Sequence, residues 1–466
     1  MISFLISLVL LVVGYFTYGK FVEKVFGTDD SFKAPSETMQ DGVDFVPMSW
    51  PRIFLIQFLN IAGLGPIFGA IAGALWGPAA FLWIVFGCIF AGAVHDFFTG
   101  VLSMRNNGAS VADLVGKYLG DIPRKIMVVF SVVLLVLVGV VFLTGPADLL
   151  KTLTGIDRNI FIVIIIIYYI SATVLPIDKI IGKIYPLFGA CLLIMAVGIG
   201  VGILIEGYTI PEIQFVNFHP KGTPIFPYLF ITIACGAISG FHATQSPIMA
   251  RCVRKESEAR KVFYGAMIAE GVIALIWAAA AMSFFGGTEG LNTALANGGP
   301  ATIVNTISNS LMGKIGAILA ILGVVACPIT SGDTAFRSAR LTIADTMGMK
   351  QDKFANRFKI AIPLFAVGIA LTFIDFAIIW RYFSWANQTL AMIMLWAASA
   401  YLVQAKKNYW ICAVPAVFMS AVTSAYILQA PEGFKLAAGI SNIVGIIFSL
   451  VLFVIFIRYT RKNQKV

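Results

Sequence analysis

Charged side chains are scarce in this 466-residue sequence: 12% of the residues are Asp, Glu, Lys or Arg, whereas 59% are hydrophobic. This scarcity excludes an ordinary water-soluble domain, in which about a quarter of the residues are charged. The mean hydropathy of +0.90 predicts an all-α polytopic membrane protein. We therefore attribute the net charge of +10 to basic loops at the cytoplasmic face, and we expect no nucleic-acid partner.

Cysteine and histidine are also few, and their spacing argues against several kinds of site. The six cysteines lie in or beside apolar segments and form no CxxC pair: Cys88, Cys191, Cys235, Cys252, Cys327 and Cys412. Neither a zinc site nor a disulfide scaffold is indicated, and we interpret the cysteines as packing residues. No HExxH or GxSxG motif occurs, so a membrane-embedded hydrolase is the weaker hypothesis, and we expect no enzyme and no cofactor.

Apolar segments are abundant, and we count thirteen predicted transmembrane spans. They cover residues 2–18, 53–75, 80–102, 126–145, 160–177, 184–205, 225–250, 262–285, 314–333, 360–379, 384–404, 409–428 and 436–457. The first span lacks a preceding basic region and a following cleavage site, so we expect it to remain as a helix. The segment 286–313 contains no Lys or Arg and predicts an external loop with short, partly embedded helices.

The basic residues alternate between the loops in the way that a membrane topology requires. Of the 33 Lys and Arg residues, 27 fall on the loops of one side and 6 on the other. Because cytoplasmic loops carry the excess of positive charge, the alternation predicts an outside N-terminus and a cytoplasmic C-terminus.

The second span contains helix-breaking residues in its middle. Gly63, Gly65 and Pro66 interrupt the apolar run 57–76, and Pro66 has no amide hydrogen for the carbonyl of Ala62. In hydrocarbon a free carbonyl is tolerated only where protein, water or an ion satisfies it. The pattern favours a broken helix beside a cavity, although the glycines could instead form a smooth packing face.

A comparable interruption occurs in the seventh span. Between Ile238 and Ala250 the sequence reads ISGFHATQSPIMA, with Gly240 and Pro247 surrounded by Ser239, His242, Thr244, Gln245 and Ser246. Four unbroken spans separate the two interruptions, so they open successive blocks of five helices, which must lie in opposite orientations. The layout has the form of the leucine-transporter architecture, with one additional N-terminal helix and two additional C-terminal helices.

The predicted organisation follows from this count. It consists of an N-terminal helix (1–19), a cytoplasmic connection (20–52), a first repeat (53–206), an outer loop (207–224), an inverted repeat (225–404) and a C-terminal pair with a basic tail (405–466).

A third polar interruption, CPITSGDTA, is expected at Cys327–Ala335. In this layout the Ala62 carbonyl with the Thr330 and Ser331 hydroxyls is a candidate Na⁺ site, unless the hydroxyls bond to their own helix.

Ionisable and amide side chains inside spans are further candidates. His95 or Asp96 could carry a proton or bind substrate, or Asp96 could pair with an arginine of the inner loop. His242 lies in the second interruption, and Asp333 could pair with Arg337 one turn later. Asn387 and Gln388 could line an outer vestibule or form polar contacts between helices. We assign no role to Glu270 or Asp375.

Four motifs in order resemble the carbon starvation protein A family of bacterial and archaeal membrane transporters. They are NIAGLGPIFG, AVHDFFTG with RNNGAS, SGFHATQSP, and CPITSGDTAFRSARL. The resemblance implies a transporter of the inner membrane with the leucine-transporter fold, used in nutrient scavenging, with some members linked to peptide uptake and others to pyruvate.

The sequence is therefore interpreted as a cation-coupled importer of small nutrients. Peptides are the first candidate substrates and pyruvate or another small carboxylate the second, with H⁺ or Na⁺ as the coupling cation. A nutrient sensor that binds without transport is a rival. The candidate substrate-binding residues are Asn60, Gly63, Gly65, Phe68, His95, Asp96, Ser239, His242, Gln245, Asn387 and Gln388. We expect helix amino ends at the two interruptions to bind the substrate carboxylate.

Overall fold

The computed structural model describes residues 1–42, 44–174, 178–214, 216–349, 351 and 353–464. Within these ranges the chain forms helices and no strand. The helices run over Ile2–Phe26, Pro35–Thr38, Trp50–Ile61, Gly65–Trp76, Ala79–Arg105, Val111–Leu119, Asp121–Thr154, Arg158–Val174, Asp178–Ile205, Tyr228–Thr232, Gly240–Ala250, Glu256–Phe284, Thr288–Thr346, Phe354–Leu371, Phe376–Gln404, Trp410–Gln429 and Ala438–Gln464.

The first broken helix consists of Trp50–Ile61 and Gly65–Trp76, which are bent by 54° relative to each other. Ala62 has non-helical dihedral angles, φ −85° and ψ 44°, at the start of the connection. Pro66 cannot donate a hydrogen bond to the Ala62 carbonyl, and the neighbouring glycines weaken the helix further. The predicted interruption of this span is confirmed.

The second broken helix consists of Tyr228–Thr232 and Gly240–Ala250, joined by the non-helical linker 233–239. Gly236 in this linker has φ +89°, in the left-handed region that favours glycine. The break was predicted at Ser239–Pro247, but of this stretch only Ser239 belongs to the linker, so the predicted position is too late in the chain. Pro247 lies inside the second half-helix, where it removes only one backbone hydrogen bond.

The third predicted interruption, at Cys327–Ala335, is also wrong. A π-helical turn, Ile321–Ala326, precedes Pro328, and an α-helix then continues from Cys327 to Thr346. Because the π turn adds one residue to the helix, it accommodates the proline without unwinding the chain.

The predicted spans all correspond to helices. Ten helices are long and apolar enough to cross a membrane, or eleven if the first broken helix counts as one span, among the described residues. The shorter apolar helix Arg158–Thr173 and the second broken helix account for the other two. The end of the span predicted over 160–177 falls on residues 175–177, which lie outside the described residues. The chain is a multi-pass membrane protein.

The two broken helices are neighbours and run in opposite directions. Phe68, in the second half of the first, and Thr232, in the first half of the second, line the same cavity. At the other side Met48 N, just before the first broken helix, donates to Cys252 O, just after the second, at 3.1 Å. This is the arrangement predicted for an inverted repeat.

The segment without Lys or Arg, 286–313, contains short helices as predicted. Gly299 (φ 68°) and Gly313 (φ 55°) are non-helical and divide the long segment Thr288–Thr346 into three pieces. The first two pieces lie at the mouth of the cavity, where Asn292 and Pro300 line its wall.

Candidate functional site

Three predicted site residues meet in the protein interior beside the second broken helix. The Asp96 carboxylate contacts both histidines: Oδ1 lies 2.8 Å from His95 Nδ1, and Oδ2 lies 2.8 Å from His242 Nδ1. All three side chains are completely buried. Because ionisable groups are costly to bury in a membrane, this arrangement indicates a functional role.

Cys235 and Glu270 extend this group, and the sequence interpretation missed both. Glu270 Oε2 lies 3.3 Å from His242 Nε2. One ligand atom each of Cys235, His242 and Glu270 lies within 4.8 Å of the others. Glu270 was detectable as an acidic residue deep in an apolar span, but nothing in the sequence indicates that Cys235 faces it. We call Cys235, His242 and Glu270, together with His95 and Asp96, the buried cluster.

The structural alternative proposed for Asp96 is wrong, whereas the one for Asp333 is confirmed. The arginine at the end of the Asp96 helix, Arg105, forms an ion pair with Glu256 instead. Asp333 Oδ2 lies 3.2 Å from Arg337 Nη2, as the spacing of one helical turn predicts.

Asn387 caps the second half of the second broken helix. Its Oδ1 accepts hydrogen bonds from the Phe241 amide (2.6 Å) and from Ser239 Oγ (3.1 Å). The backbones approach closely here, since a Cβ on Gly240 would lie 2.2 Å from the Asn387 carbonyl oxygen. The Phe241 amide at this helix start is therefore not free for a substrate carboxylate.

The other predicted amide side chains also bond to nearby protein groups. Gln388 Nε2 donates to the Phe230 carbonyl of the second broken helix. Gln245 Nε2 donates to Thr244 Oγ1 at 3.0 Å. Asn60 is buried near the end of the first half of the first broken helix. Asn387 and Gln388 therefore both form polar contacts between helices, as one of the two sequence interpretations predicts.

The predicted glycines lie at close contacts between helices. A Cβ on Gly63 would approach the Phe142 ring to 2.6 Å, and one on Gly65 would lie 2.3 Å from Cys235 Cβ. The two interruptions are thus packed directly against each other at Gly65. The open space near them lies farther along the first broken helix, at Phe68.

A vestibule of about 500 Å³ is lined by the second half of the first broken helix and by Phe376–Gln404. Three of its buried lining residues, Phe68, Trp380 and Ser384, form what we call the vestibule floor. The Phe68 and Trp380 rings are 6.0 Å apart. Trp380 Nε1 and Ser384 Oγ are buried and have no hydrogen-bond partner within the described part of the chain. Such orphaned polar atoms suit the polar groups of a ligand.

The vestibule wall carries charges of both signs. Lys221, Arg381 and Asp375 line it, and Arg381 Nε is 3.1 Å from Glu432 Oε2. Partial burial and the nearby Lys221 ammonium lower the pKa of His219, whose ring centroid lies 4.5 Å from that of Trp76 at an interplanar angle of 55°. The wall therefore offers partners for both ends of a zwitterion.

On the side opposite the vestibule, Arg105 is the centre of a polar contact that we call the seal. Arg105 binds the buried Glu256 through Nε (2.7 Å) and Nη2 (2.8 Å). It also donates to Tyr401 Oη at 3.1 Å and to the Gly27 carbonyl at 3.0 Å. Because these partners come from separate helices, the seal joins the ends of several elements.

The two hydroxyls of the candidate cation site differ in their hydrogen bonding. Thr330 Oγ1 donates to the Cys327 carbonyl at 2.7 Å, so it bonds to its own helix. Ser331 Oγ is buried without a partner among the residues described. Cys327 Sγ lies 3.6 Å from the Leu59 carbonyl, so this helix contacts the first broken helix one turn before Ala62.

Comparisons with known proteins agree with this architecture. The model of the carbon starvation protein CstA family matches residues 1–153, 144–296 and 278–425. An uncharacterized membrane protein of Haemophilus influenzae is 45% identical over 64% of this chain and 95% of its own length. The peptide transporter CstA of Campylobacter jejuni is 25% identical over 93% of this chain and 81% of its own. The pyruvate/proton symporter BtsT of Escherichia coli is 27% identical over 59% and 57%, respectively.

Solved structures with a similar fold include a Na⁺-coupled symporter. A Na⁺-coupled sialic acid symporter in a substrate-bound, outward-open state matches 95% of this chain and 96% of its own, with a TM-score of 0.54 and 13% identity. MhsT in complex with L-phenylalanine matches 88% and 98%, with a TM-score of 0.55 and 14% identity. These matches support the leucine-transporter-like fold.

Proposed function

Because this chain belongs to the carbon starvation protein CstA family, we propose that it is a cation-coupled secondary transporter that imports short peptides. It acts by transport and not by catalysis. It resides in the cytoplasmic membrane of a bacterium or archaeon, with the vestibule facing outward and the seal facing the cytoplasm. The 27 basic residues predicted for one side support this orientation.

The observation that carries the proposal is the vestibule floor. Trp380 Nε1 and Ser384 Oγ are buried without partners in the described chain, beside the ring of Phe68. An unsatisfied donor or hydroxyl inside a membrane protein is costly, and a peptide carbonyl or carboxylate would satisfy both. The floor also lies directly above the two interruptions, where alternating-access transporters bind their substrates.

Size and charge favour a peptide over pyruvate. A vestibule of about 500 Å³ lies in the range of sites that hold drug-sized ligands, and a three-carbon acid would fill little of it. Lys221 and Arg381 suit the peptide carboxylate, whereas Asp375 suits the amino group. Pyruvate is the second candidate because a relative 27% identical is named a pyruvate/proton symporter.

Na⁺ coupling at the candidate cation site is part of the proposal. The free hydroxyl of Ser331, the Thr330 hydroxyl and the Ala62 carbonyl supply neutral oxygen ligands, which suit a weakly held hard cation. The contact between Cys327 and Leu59 supports their proximity, because it brings the two helices together one turn away.

Uptake into proteoliposomes tests the function. Purified protein would be supplied with a labelled dipeptide or with labelled pyruvate, under an inward Na⁺ gradient, an inward H⁺ gradient or no gradient. We expect the intact dipeptide to accumulate above its external concentration only with a cation gradient. Accumulation of pyruvate alone would favour the second candidate, whereas a chemically altered product or saturable binding without accumulation would contradict transport.

A further inference from the structure

Cys235, His242 and Glu270 converge on one point in the membrane interior. Their thiol, imidazole and carboxylate groups come from the linker of the second broken helix, from its second half and from the helix Glu256–Phe284. All three side chains are buried, and their nearest ligand atoms lie within 4.8 Å of one another. We propose that these residues bind a divalent transition-metal ion, with Zn²⁺ as the best match.

The distance between two of the three ligand atoms fits a shared ion. In a tetrahedral zinc site the metal lies about 2.0–2.2 Å from nitrogen and oxygen ligands, so those ligands are roughly 3.3–3.5 Å apart. His242 Nε2 and Glu270 Oε2 are 3.3 Å apart. Thiolate, imidazole and carboxylate ligands together suit Zn²⁺ better than the hard ions Mg²⁺ or Ca²⁺. Three protein ligands leave the fourth position for water or another small ligand.

Unsatisfied atoms point into the same space. His242 Nε2 and both carboxylate oxygens of Glu270 are buried and lack a hydrogen-bond partner in the ranges that the structure describes. His242 Nε2 and Glu270 Oε2 are close to each other, but they do not form an N–H···O hydrogen bond. A metal ion would satisfy both residues through their lone pairs.

Asp96 has the position of a supporting residue for a metal-binding histidine. It contacts His242 Nδ1 at 2.8 Å, which leaves the other ring nitrogen, Nε2, directed at Glu270. Metal-ligating histidines commonly donate a hydrogen bond from their second ring N–H to a carboxylate in this way, which orients the ring and strengthens the ligand. Asp96 is in turn held by His95, also at 2.8 Å.

The ion would connect an unwound linker to two helices. Cys235 lies in the non-helical linker, so its coordination would fix the linker to His242 and Glu270. Such an ion would hold the second broken helix in shape, and it would be independent of the transported substrate and of the coupling ion.

Cobalt binding tests the site directly. Metal-free protein would be titrated with Co²⁺ in detergent, because thiolate coordination produces an intense charge-transfer absorption that oxygen ligands do not. We expect one Co²⁺ per chain, displaced by Zn²⁺, with the thiolate band present. Cys235→Ser should remove the band and weaken binding at least tenfold. Cys412→Ser is the matched control, since Cys412 is equally buried but lies in Trp410–Gln429.

Two further measurements keep the test decisive if a variant folds poorly. Zn²⁺ should raise the melting temperature of the wild type and of Cys412→Ser, but not that of Cys235→Ser. Asp96→Asn should retain the thiolate band but bind Co²⁺ about 10- to 100-fold more weakly. The proposal is overturned if the wild type shows no thiolate band, or if Cys235→Ser retains it. Dipeptide uptake is measured in a separate assay, so the metal site can be disproved without disproving peptide transport, and peptide transport without disproving the metal site.

Discussion

At the vestibule floor, individual polar atoms determine how a substrate would be held. Trp380 Nε1 is buried without a partner in the described structure, whereas Trp385 Nε1, one and a half turns later, donates to the Thr423 carbonyl at 3.0 Å. Removal of the Trp380 N–H should therefore cost a hydrogen bond to the substrate. Removal of the Trp385 N–H should instead cost a hydrogen bond within the protein.

We expect Trp380→Phe to weaken dipeptide affinity about fivefold, because one hydrogen bond to the substrate, about 1 kcal/mol, would be lost. Trp385→Phe should lower the melting temperature with little change in affinity. Dissociation constants and melting temperatures of both variants, measured in the same detergent, decide the matter. Equal affinity in Trp380→Phe and wild type would move the substrate away from the floor.

Ser331 is a second residue whose role depends on an unpaired atom. Its buried hydroxyl has no partner in the described chain, whereas the Thr330 hydroxyl is bonded to Cys327 O. If Ser331 binds the coupling cation, Ser331→Ala should raise the Na⁺ concentration for half-maximal uptake about tenfold while leaving the melting temperature unchanged. An unchanged Na⁺ titration in folded protein would rule this site out.

At the scale of helices, the contact between the two interruptions requires glycine. A Cβ at Gly65 would lie 2.3 Å from Cys235 Cβ, while one at Gly439 meets no atom within 4 Å. Gly65→Ala should therefore separate the two broken helices, destabilise the protein by about 1–3 kcal/mol and abolish uptake. Gly439→Ala, on the helix Ala438–Gln464, is the control that should leave both properties intact. Normal stability of Gly65→Ala would contradict the close packing.

The seal provides a prediction about the opposite side. Glu256 is buried and binds Arg105 through two hydrogen bonds. Shortly after Arg105 in the chain, Asp113 and Arg124 form an exposed ion pair. Glu256→Gln should weaken the seal by about 1.5–3 kcal/mol, because charge-assisted hydrogen bonds are lost. Asp113→Asn should have little effect, as exposed pairs contribute at most about 1 kcal/mol.

Opening of the seal can be followed with Cys252, which is buried on that side and follows the second broken helix directly. In inside-out vesicles the Glu256→Gln variant should react faster with an impermeant maleimide than the wild type or Asp113→Asn. Identical labelling rates in the three proteins would show that this ion pair does not hold the side closed.

At the scale of the whole molecule, the property to measure is which end faces the cytoplasm. Met1 N lies 2.5 Å from Glu212 in the loop on the vestibule side, while Lys407 bonds to the Phe26 carbonyl near the seal. These contacts place the loops predicted to be external and cytoplasmic at opposite ends of the molecule. The excess of basic residues on the seal side is the basis of the orientation that we propose.

Cysteine labelling should locate both ends. All six native cysteines are buried, so background labelling is low. In intact cells an impermeant reagent should label Asn217→Cys, on the exposed vestibule side, but should reach Ser257→Cys only after permeabilisation. Labelling of Ser257→Cys from outside would reverse the proposed topology.

The class of the protein, its spans and the first interruption could all be predicted from the amino-acid sequence. These follow from hydropathy and from the local chemistry of proline and glycine: a run of apolar residues crosses the membrane wherever it packs, and Pro66 removes a hydrogen bond within its own helix. The antiparallel order of the repeats followed from counting spans, which also needs no knowledge of contacts.

Which polar groups meet could not be predicted, because the contacts join distant parts of the chain. Asp96 and His242 are 146 positions apart in the chain, and so are Phe241 and Asn387, so no local pattern could pair them. The same applies to Cys235, whose neighbour Gly236, and not Pro247, permits the second interruption. Because such contacts depend on how separate helices pack, the buried cluster became visible only once the helices were assembled.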